Sequence, residues 1–149
     1  MNSQHPIDLY RLAEEQGIEV DWFPMAQADS LSVALPDGSC CVAIDPWKMR
    51  TVREETVALA HELGHCCTGS FYNEWTAFGV MEQHENRADK WAIRKLVPAE
   101  ELERAVQEGR TELWELAELF DVTEDFMRKA LCWYRNGSLG CQRPAPALC

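Results

Sequence analysis

Two histidines and a glutamate in the middle of the chain have the spacing of a metal-binding motif. His61 and His65 are four residues apart in VALAHELGHCCTG, and Glu62 directly follows the first of them. On a helix, residues i and i+4 lie on one face, so the two imidazoles would point the same way. Two such histidines can ligate zinc, and the adjacent carboxylate can act as general base toward water. The segment therefore predicts an HExxH zinc site.

A catalytic zinc ion needs a third protein ligand, and a second predicted helix supplies a candidate. Glu85 and Asp89 are four residues apart in ENRADKWA, so they share one helix face. Glu85 would complete a His₂Glu set, and Asp89 would accept a hydrogen bond from the other ring nitrogen of a ligating histidine. His84 is a rival ligand. It lies about 100° around the helix from Glu85, and the paired Asp89 favours Glu85.

The HExxH helix must begin and pack in a defined way to present this motif. Thr51 followed three residues later by Glu54 is a capping-box pattern, which predicts a helix start near Thr51. Gly64 lies between the two histidines, where glycine costs about 1 kcal/mol relative to alanine in a helix. This glycine indicates that another element comes close, and Ala88 and Ala92 on the second helix would permit that approach.

The residues before the motif predict one helix and a small sheet. Residues 7–17 have apolar positions at helical spacing, and residues 18–23 alternate like a strand. Two β-rich runs then flank a Pro-Asp-Gly-Ser turn at 36–39, the pattern of a hairpin. We expect a three-stranded antiparallel sheet before Asp45. The second long helix, 81–97, ends before a proline, and two or three further helices fill 99–135.

Composition and charge limit the function classes. The chain has 149 residues, a net charge of −11, and 46% hydrophobic and 26% charged residues, as one globular domain would. The acidic balance argues against a phosphate-binding surface, and no apolar run is long enough for a membrane span. The amino-terminal residues contain acids and no apolar core, so they are not expected to form a signal peptide. We therefore expect a cytoplasmic protein that does not contact membranes.

The seven cysteines do not form a recognisable disulfide or zinc pattern. Their number is odd, two pairs are adjacent (Cys40–Cys41 and Cys66–Cys67), and there is no CxxC. We expect reduced thiols, with Cys66 packing rather than ligating metal. A redox or metal site of Cys132, Cys141 and Cys149 is the alternative.

The two helical motifs together resemble the ImmA/IrrE family of metallo-endopeptidases. The resemblance is carried by LAHELGH and ENRADKWAIRKLVP, with AIDP before them and LAELFDVTEDFMRKAL after them, and it covers roughly residues 7–135. It implies a zincin-like core, in which His61, His65 and Glu85 match the zinc ligands and Glu62 the general base. Asp89 matches the position of the acid that supports a ligand. Longer family members carry a C-terminal sensory domain, for which this chain is expected to be too short.

The resemblance also implies a substrate, namely a cytoplasmic repressor with a helix-turn-helix domain. One alternative is a non-catalytic antirepressor that sequesters the repressor. The other is a DNA-binding regulator acting through residues 111–135, which look like a helix-turn-helix. That segment has six acidic and three basic residues, so a packing unit is favoured and direct nucleic-acid binding is not expected. Tyr72 as an oxyanion donor, and Trp75 and Phe78 as cleft residues, stay open, as does the oligomeric state.

The predicted fold class is therefore α+β. A short antiparallel sheet would pack on the HExxH helix and the second ligand-bearing helix, followed by a C-terminal helical segment. We divide the chain into a zincin-like catalytic core (1–98), a helical packing segment of the same domain (99–135) and a tail expected to be disordered (136–149).

Overall fold

A computed structural model of the chain describes residues 6–73, 75–137 and 139. It is α+β, as predicted. The helices are α1 (Pro6–Glu15), α2 (Val52–Thr68), α3 (Phe78–Leu96), α4 (Ala99–Gln107), α5 (Leu113–Phe120) and α6 (Glu124–Asn136), and the strands are β1 (Glu19–Trp22), β2 (Ser30–Ala34) and β3 (Cys40–Ile44). A 3-10 turn at Pro46–Lys48 joins the sheet to α2. Among the described helices, none has the length and apolar character needed to cross a bilayer.

The sheet is mixed, so the prediction of an antiparallel sheet is wrong in one respect. β2 and β3 do form the predicted antiparallel hairpin, but β1 pairs with β3 in parallel, and the strand order is β1-β3-β2. The reason is burial. β3 carries the buried Val42 and Ile44 and lies at the centre of the sheet. The chain that follows β1 therefore crosses to the opposite edge of the sheet before β2 begins. β2 is consequently an edge strand.

Helix α2 begins where its local sequence predicts. The Thr51 hydroxyl accepts a hydrogen bond from the Glu54 amide, which the first turn leaves without a helical partner. The Glu54 carboxylate in turn accepts a hydrogen bond of 3.1 Å from the Arg50 amide, just before the cap. At the other end, Gly69 adopts the left-handed conformation at φ 65° and closes the helix.

Helices α2 and α3 pack backbone to backbone, as the glycine and alanine pattern predicts. A Cβ atom added to Gly64 would lie 2.5 Å from the Ala88 carbonyl oxygen, so only glycine permits this approach. Ala88 and Ala92 are fully buried. α3 begins at Phe78, three residues before the predicted start, and it ends at Leu96 ahead of Pro98.

All six helices share one hydrophobic core with β3. Leu9 of α1, Leu59 of α2 and Ile93 of α3 are fully buried in it. The C-terminal helices contribute Phe120 and Met127 to the same cluster. The three helices after residue 98 therefore pack on the elements that carry the HExxH motif.

Cys40 and Cys66 form a disulfide, so the prediction that all thiols are reduced is wrong, as is the simple packing role of Cys66. The first residue of β3 lies against the last turns of α2, which brings the two Cα atoms to 5.9 Å. No local spacing could indicate this pair, because 26 residues separate them. Cys132 is a buried free thiol. Cys141, Cys149 and most of the predicted tail, 136–149, lie outside the described residues.

Candidate metal centre

The structure brings His61, His65 and Glu85 together at the interface of α2 and α3. The two histidine Nε2 atoms are 3.2 Å apart, and they lie 3.0 Å and 3.1 Å from the two oxygens of Glu85. A tetrahedral zinc ion with bonds of about 2.0–2.1 Å requires ligand atoms about 3.3 Å apart. The distance between the two nitrogens and the distance from each nitrogen to its nearest Glu85 oxygen are close to this value, and each histidine faces a different oxygen of Glu85. They form a group of potential metal ligands among the described residues.

Hydrogen bonds to the other ring nitrogens orient both imidazoles. Nδ1 of His61 is 2.8 Å from Asp89 Oδ1, and Nδ1 of His65 is 2.5 Å from the Ser70 carbonyl oxygen. In the tautomer that donates these bonds, each Nε2 keeps a lone pair with which it can bind a metal ion. Ser70 occupies this position because Gly69 turns the chain back at the end of α2.

The charges of the cluster favour ionised side chains in the metal-free protein. Burial lowers the pKa of His61, but hydrogen bonds to Asp89 and Glu85 outweigh burial and raise that pKa to about 10. Hydrogen bonds from His61 and His65 hold the pKa of Glu85 well below its usual range. A histidine must be neutral to ligate a metal, so binding would displace a proton from the cluster at neutral pH.

Glu62 lies beside the cluster without belonging to it. It is 7% exposed, and its Oε2 accepts a hydrogen bond of 2.7 Å from the Ser30 hydroxyl of β2. Both residues line a cavity of about 300 Å³ that also contains the three clustered side chains. The cavity is bounded by β2 on one side and by Phe71 and Tyr72 on the other. A carboxylate is therefore held next to a potential metal site and inside an open cleft.

Tyr72 reaches the cluster from the segment that follows α2. Its hydroxyl donates a hydrogen bond of 2.6 Å to Glu85 Oε2, which raises the pKa of Tyr72 to about 12. The Tyr72 ring stacks on His84 at an interplanar angle of 13°. His84, the rival ligand, therefore packs against Tyr72 outside the group of potential ligands. Trp75 and Phe78 do not line the cavity; they are 84% and 76% exposed.

Sequence reasoning missed three residues of this centre. They are Ser30, which hydrogen-bonds Glu62; Ser70, whose carbonyl orients His65; and Lys129, whose Nζ donates to Asp89 Oδ2 at 3.0 Å. Ser70 had a local signal, because it follows the glycine that ends α2. Ser30 and Lys129 are 32 and 40 residues from their partners, and no spacing rule connects them.

A comparison with protein families assigns the chain to a family. The profile of the IrrE N-terminal-like domain, peptidase family M78, matches residues 13–131, which is most of the chain. The chain belongs to this family. No curated protein and no solved structure matches it. The IrrE-like domain is thus a member of a metallopeptidase family, and its His-His-Glu cluster lies where a metal ion could bind.

Proposed function

We propose that this IrrE-like domain is a zinc-dependent endopeptidase. The proposal rests on two kinds of side chain that line the same cavity, potential metal ligands and a separate carboxylate. Three side chains present ligand atoms at zinc-like separations, while the Glu62 carboxylate faces the same space outside that set. When bound, a zinc ion supplies Lewis acidity, which polarises the scissile carbonyl and lowers the pKa of a water molecule to about 7.

Glu62 is the proton carrier of the proposed reaction. Its carboxylate accepts a proton from the attacking water as the water oxygen bonds to the carbonyl carbon. It then delivers that proton to the amine nitrogen as the peptide C–N bond breaks. The hydrogen bond from Ser30 engages Oε2 of this carboxylate and restricts its orientation. Glu62 and Ser30 thus form a base and its orienting group on two different elements.

Tyr72 supplies a hydrogen-bond donor at the edge of the cleft. With a pKa of about 12, its hydroxyl keeps its proton at neutral pH. The hydroxyl donates a hydrogen bond to Glu85, one of the proposed ligands, so it lies beside the proposed metal site. We assign it to donating a hydrogen bond to the carbonyl oxygen as negative charge develops there, with its one hydroxyl proton turned from Glu85 to that oxygen.

Strand β2 is the proposed binding edge for an extended substrate. It is an edge strand, and Ser30, Leu31 and Ser32 line the cavity. A peptide that adds to this edge would gain main-chain hydrogen bonds, with side-chain pockets giving specificity. Leu31 and Val33 project away from the core, with exposed fractions of 48% and 41%. These side chains favour a substrate segment with apolar residues.

The substrate class is proposed from the family resemblance. It is a cytoplasmic transcriptional repressor with a helix-turn-helix domain, whose cleavage switches on the genes of a mobile element or a stress response. The rival is a non-catalytic antirepressor that sequesters the same repressor. A structural zinc site has four protein ligands and needs no general base, so the three-ligand set beside Glu62 favours proteolysis.

The Glu62→Gln variant separates these two functions. Glutamine keeps the size of the side chain but cannot accept the proton, so zinc should stay bound while cleavage falls about 10²–10⁴-fold. Wild type, Glu62→Gln and the control Glu103→Gln, at an exposed site on α4, are each co-expressed with a candidate helix-turn-helix repressor chosen from the neighbouring genes. The repressor is followed by size and by reporter output.

Proteolysis predicts repressor fragments and derepression with wild type and Glu103→Gln, and an intact, active repressor with Glu62→Gln. Derepression by Glu62→Gln with a whole repressor would exclude proteolysis and favour sequestration.

A further inference from the structure

We infer that Lys129 of α6 is a positioning residue of the metal centre, acting on His61 through the Asp89 carboxylate. The inference rests on the proposed metal site and adds a residue outside both metal-binding helices. Lys129 Nζ donates to one oxygen of Asp89 at 3.0 Å, and the other oxygen lies 2.8 Å from His61 Nδ1. Two hydrogen bonds through Asp89 therefore connect Lys129, on the C-terminal helix, to the proposed ligand His61.

The Asp89 carboxylate has a distinct partner for each of its two oxygens. Its side chain is 14% exposed, so solvent contributes little to its orientation. Rotation of the carboxylate would break the bonds to both the imidazole and the ammonium group. Lys129 thus restricts Asp89 to the rotamer in which Oδ1 faces the His61 ring. This arrangement holds the His61 ring in the orientation in which Nε2 faces Glu85 and His65.

The backbone of Lys129 is fixed by the hydrophobic core. Phe126, Met127 and Ala130, its neighbours on α6, are buried in the shared cluster. The helix begins at Thr123, whose hydroxyl accepts a hydrogen bond from the Phe126 amide. The Lys129 side chain itself is 41% exposed, so it extends from an anchored helix across the surface to Asp89.

The charges of the two groups strengthen this restraint. A hydrogen bond between an ammonium group and a carboxylate is stronger than one between neutral groups, so the contact with Lys129 resists rotation of Asp89. The C-terminal helices would thereby contribute to metal binding as well as to the core.

The test compares zinc affinity and cobalt spectra of substituted full-length chains. Lys129→Met removes the charge and keeps the apolar stem, whereas Lys129→Arg keeps a charged donor. Arg128→Met is the matched control, because Arg128 is the adjacent base on α6 and pairs with Asp125 on the same helix. Zinc affinity is measured by competition with a chromophoric chelator, and Co²⁺ absorption reports ligand geometry.

We expect Lys129→Met to weaken zinc binding about tenfold, at the lower end of the range for residues that support a ligand, and to alter the Co²⁺ spectrum. Lys129→Arg should restore most of the affinity, and Arg128→Met should match wild type. Lys129→Gln is measured alongside in case the methionine variant folds poorly, and it should also bind zinc more weakly. Thermal unfolding of the metal-free chains separates these effects from lost stability.

Two results would contradict the inference in distinguishable ways. If folded Lys129→Met and Lys129→Gln bind zinc as tightly as wild type, Lys129 has no positioning role and the proposed function stands. If wild type itself binds no zinc, the proposed function fails and the inference fails with it.

Discussion

At the scale of residues, the centre depends on hydrogen bonds that orient each reactive side chain. His61 is directed by Asp89, His65 by a backbone carbonyl, and Glu62 by Ser30. A ligand that is already oriented loses less conformational freedom when a metal binds. We therefore expect substitutions of the orienting groups to weaken the centre without removing it, and substitutions of the ligands to abolish it.

The choice between Glu85 and His84 is the sharpest prediction at this scale. Glu85→Ala removes a proposed ligand whose two oxygens lie 3.0 Å from His61 and 3.1 Å from His65, so most bound zinc should be lost. His84→Ala removes a ring that packs on Tyr72, and zinc should be retained at about one ion per chain. Metal content of the purified variants, measured by mass spectrometry, decides between them. Loss of zinc in His84→Ala with retention in Glu85→Ala would reverse the ligand assignment.

At the scale of elements, the centre requires a close and rigid contact between α2 and α3. The proposed ligands are divided between these helices, with two histidines on one and Glu85 on the other. Their separations of 3.0–3.2 Å exist only while Gly64 lies against the Ala88 backbone. The glycine inside the motif is thus part of the mechanism that assembles the centre.

Gly64→Ala should both destabilise the fold and weaken the metal centre. The new methyl group would meet backbone atoms, which cannot move aside as a flexible side chain would. Overpacking of this kind costs about 1–3 kcal/mol, more than the roughly 1 kcal/mol that alanine gains in helix propensity. Chemical denaturation and zinc titration should both show the loss.

Gly79→Ala is the matched control for that substitution. Gly79 is also helical, in the first turn of α3, and nothing lies within 4 Å of the added Cβ. Its free energy of unfolding should stay the same or rise by up to about 1 kcal/mol. Equal stabilities of the two variants would show that the helices can separate without cost.

At the scale of the whole molecule, a shared core and the Cys40–Cys66 disulfide connect the sheet to the helices. Cys40 of β3 is joined to Cys66, the residue that follows His65 in α2. We propose a cytoplasmic location from the family resemblance, and thiol reductants keep most disulfides open in that compartment. The redox state of this bond is therefore a property of the molecule that can be measured directly.

Reduction of the Cys40–Cys66 bond should lower the stability of the purified, oxidised chain. A cross-link that spans 26 residues destabilises the unfolded state by about 3.5 kcal/mol in the chain-entropy model. Cys40→Ser should lose a similar amount of stability, and a phosphine reductant should then have no further effect on it. Cys67→Ser, at an exposed free thiol, should keep the wild-type stability and its sensitivity to the reductant. Alkylation before reduction should label Cys67 and spare the bonded pair. Labelling of Cys40 and Cys66 in unreduced protein would show that the bond does not form.

Features decided by short-range spacing could be predicted from the sequence alone. The HExxH pair, the Glu85–Asp89 pair and the Thr51 cap each depend on residues three or four positions apart, where helix geometry determines which side chains meet. The β2–β3 hairpin followed from its Asp-Gly turn in the same way. Gly64 was informative because a glycine inside a helix has a cost that close packing explains.

Only the tertiary structure decided which distant residues complete the site. The parallel pairing of β1 with β3, the Cys40–Cys66 bond, and the contacts of Ser30 and Lys129 all join segments far apart in the chain. Nothing in the local pattern distinguishes Lys129 from its neighbour Arg128, although the two bases have different partners. The difference arises when burial of the apolar face of α6 sets the rotation of that helix, which directs Lys129 toward Asp89 on α3 and leaves Arg128 to pair with Asp125 on its own helix. Such contacts follow from the packing of the whole core, to which every element contributes, and no short window of sequence contains that information.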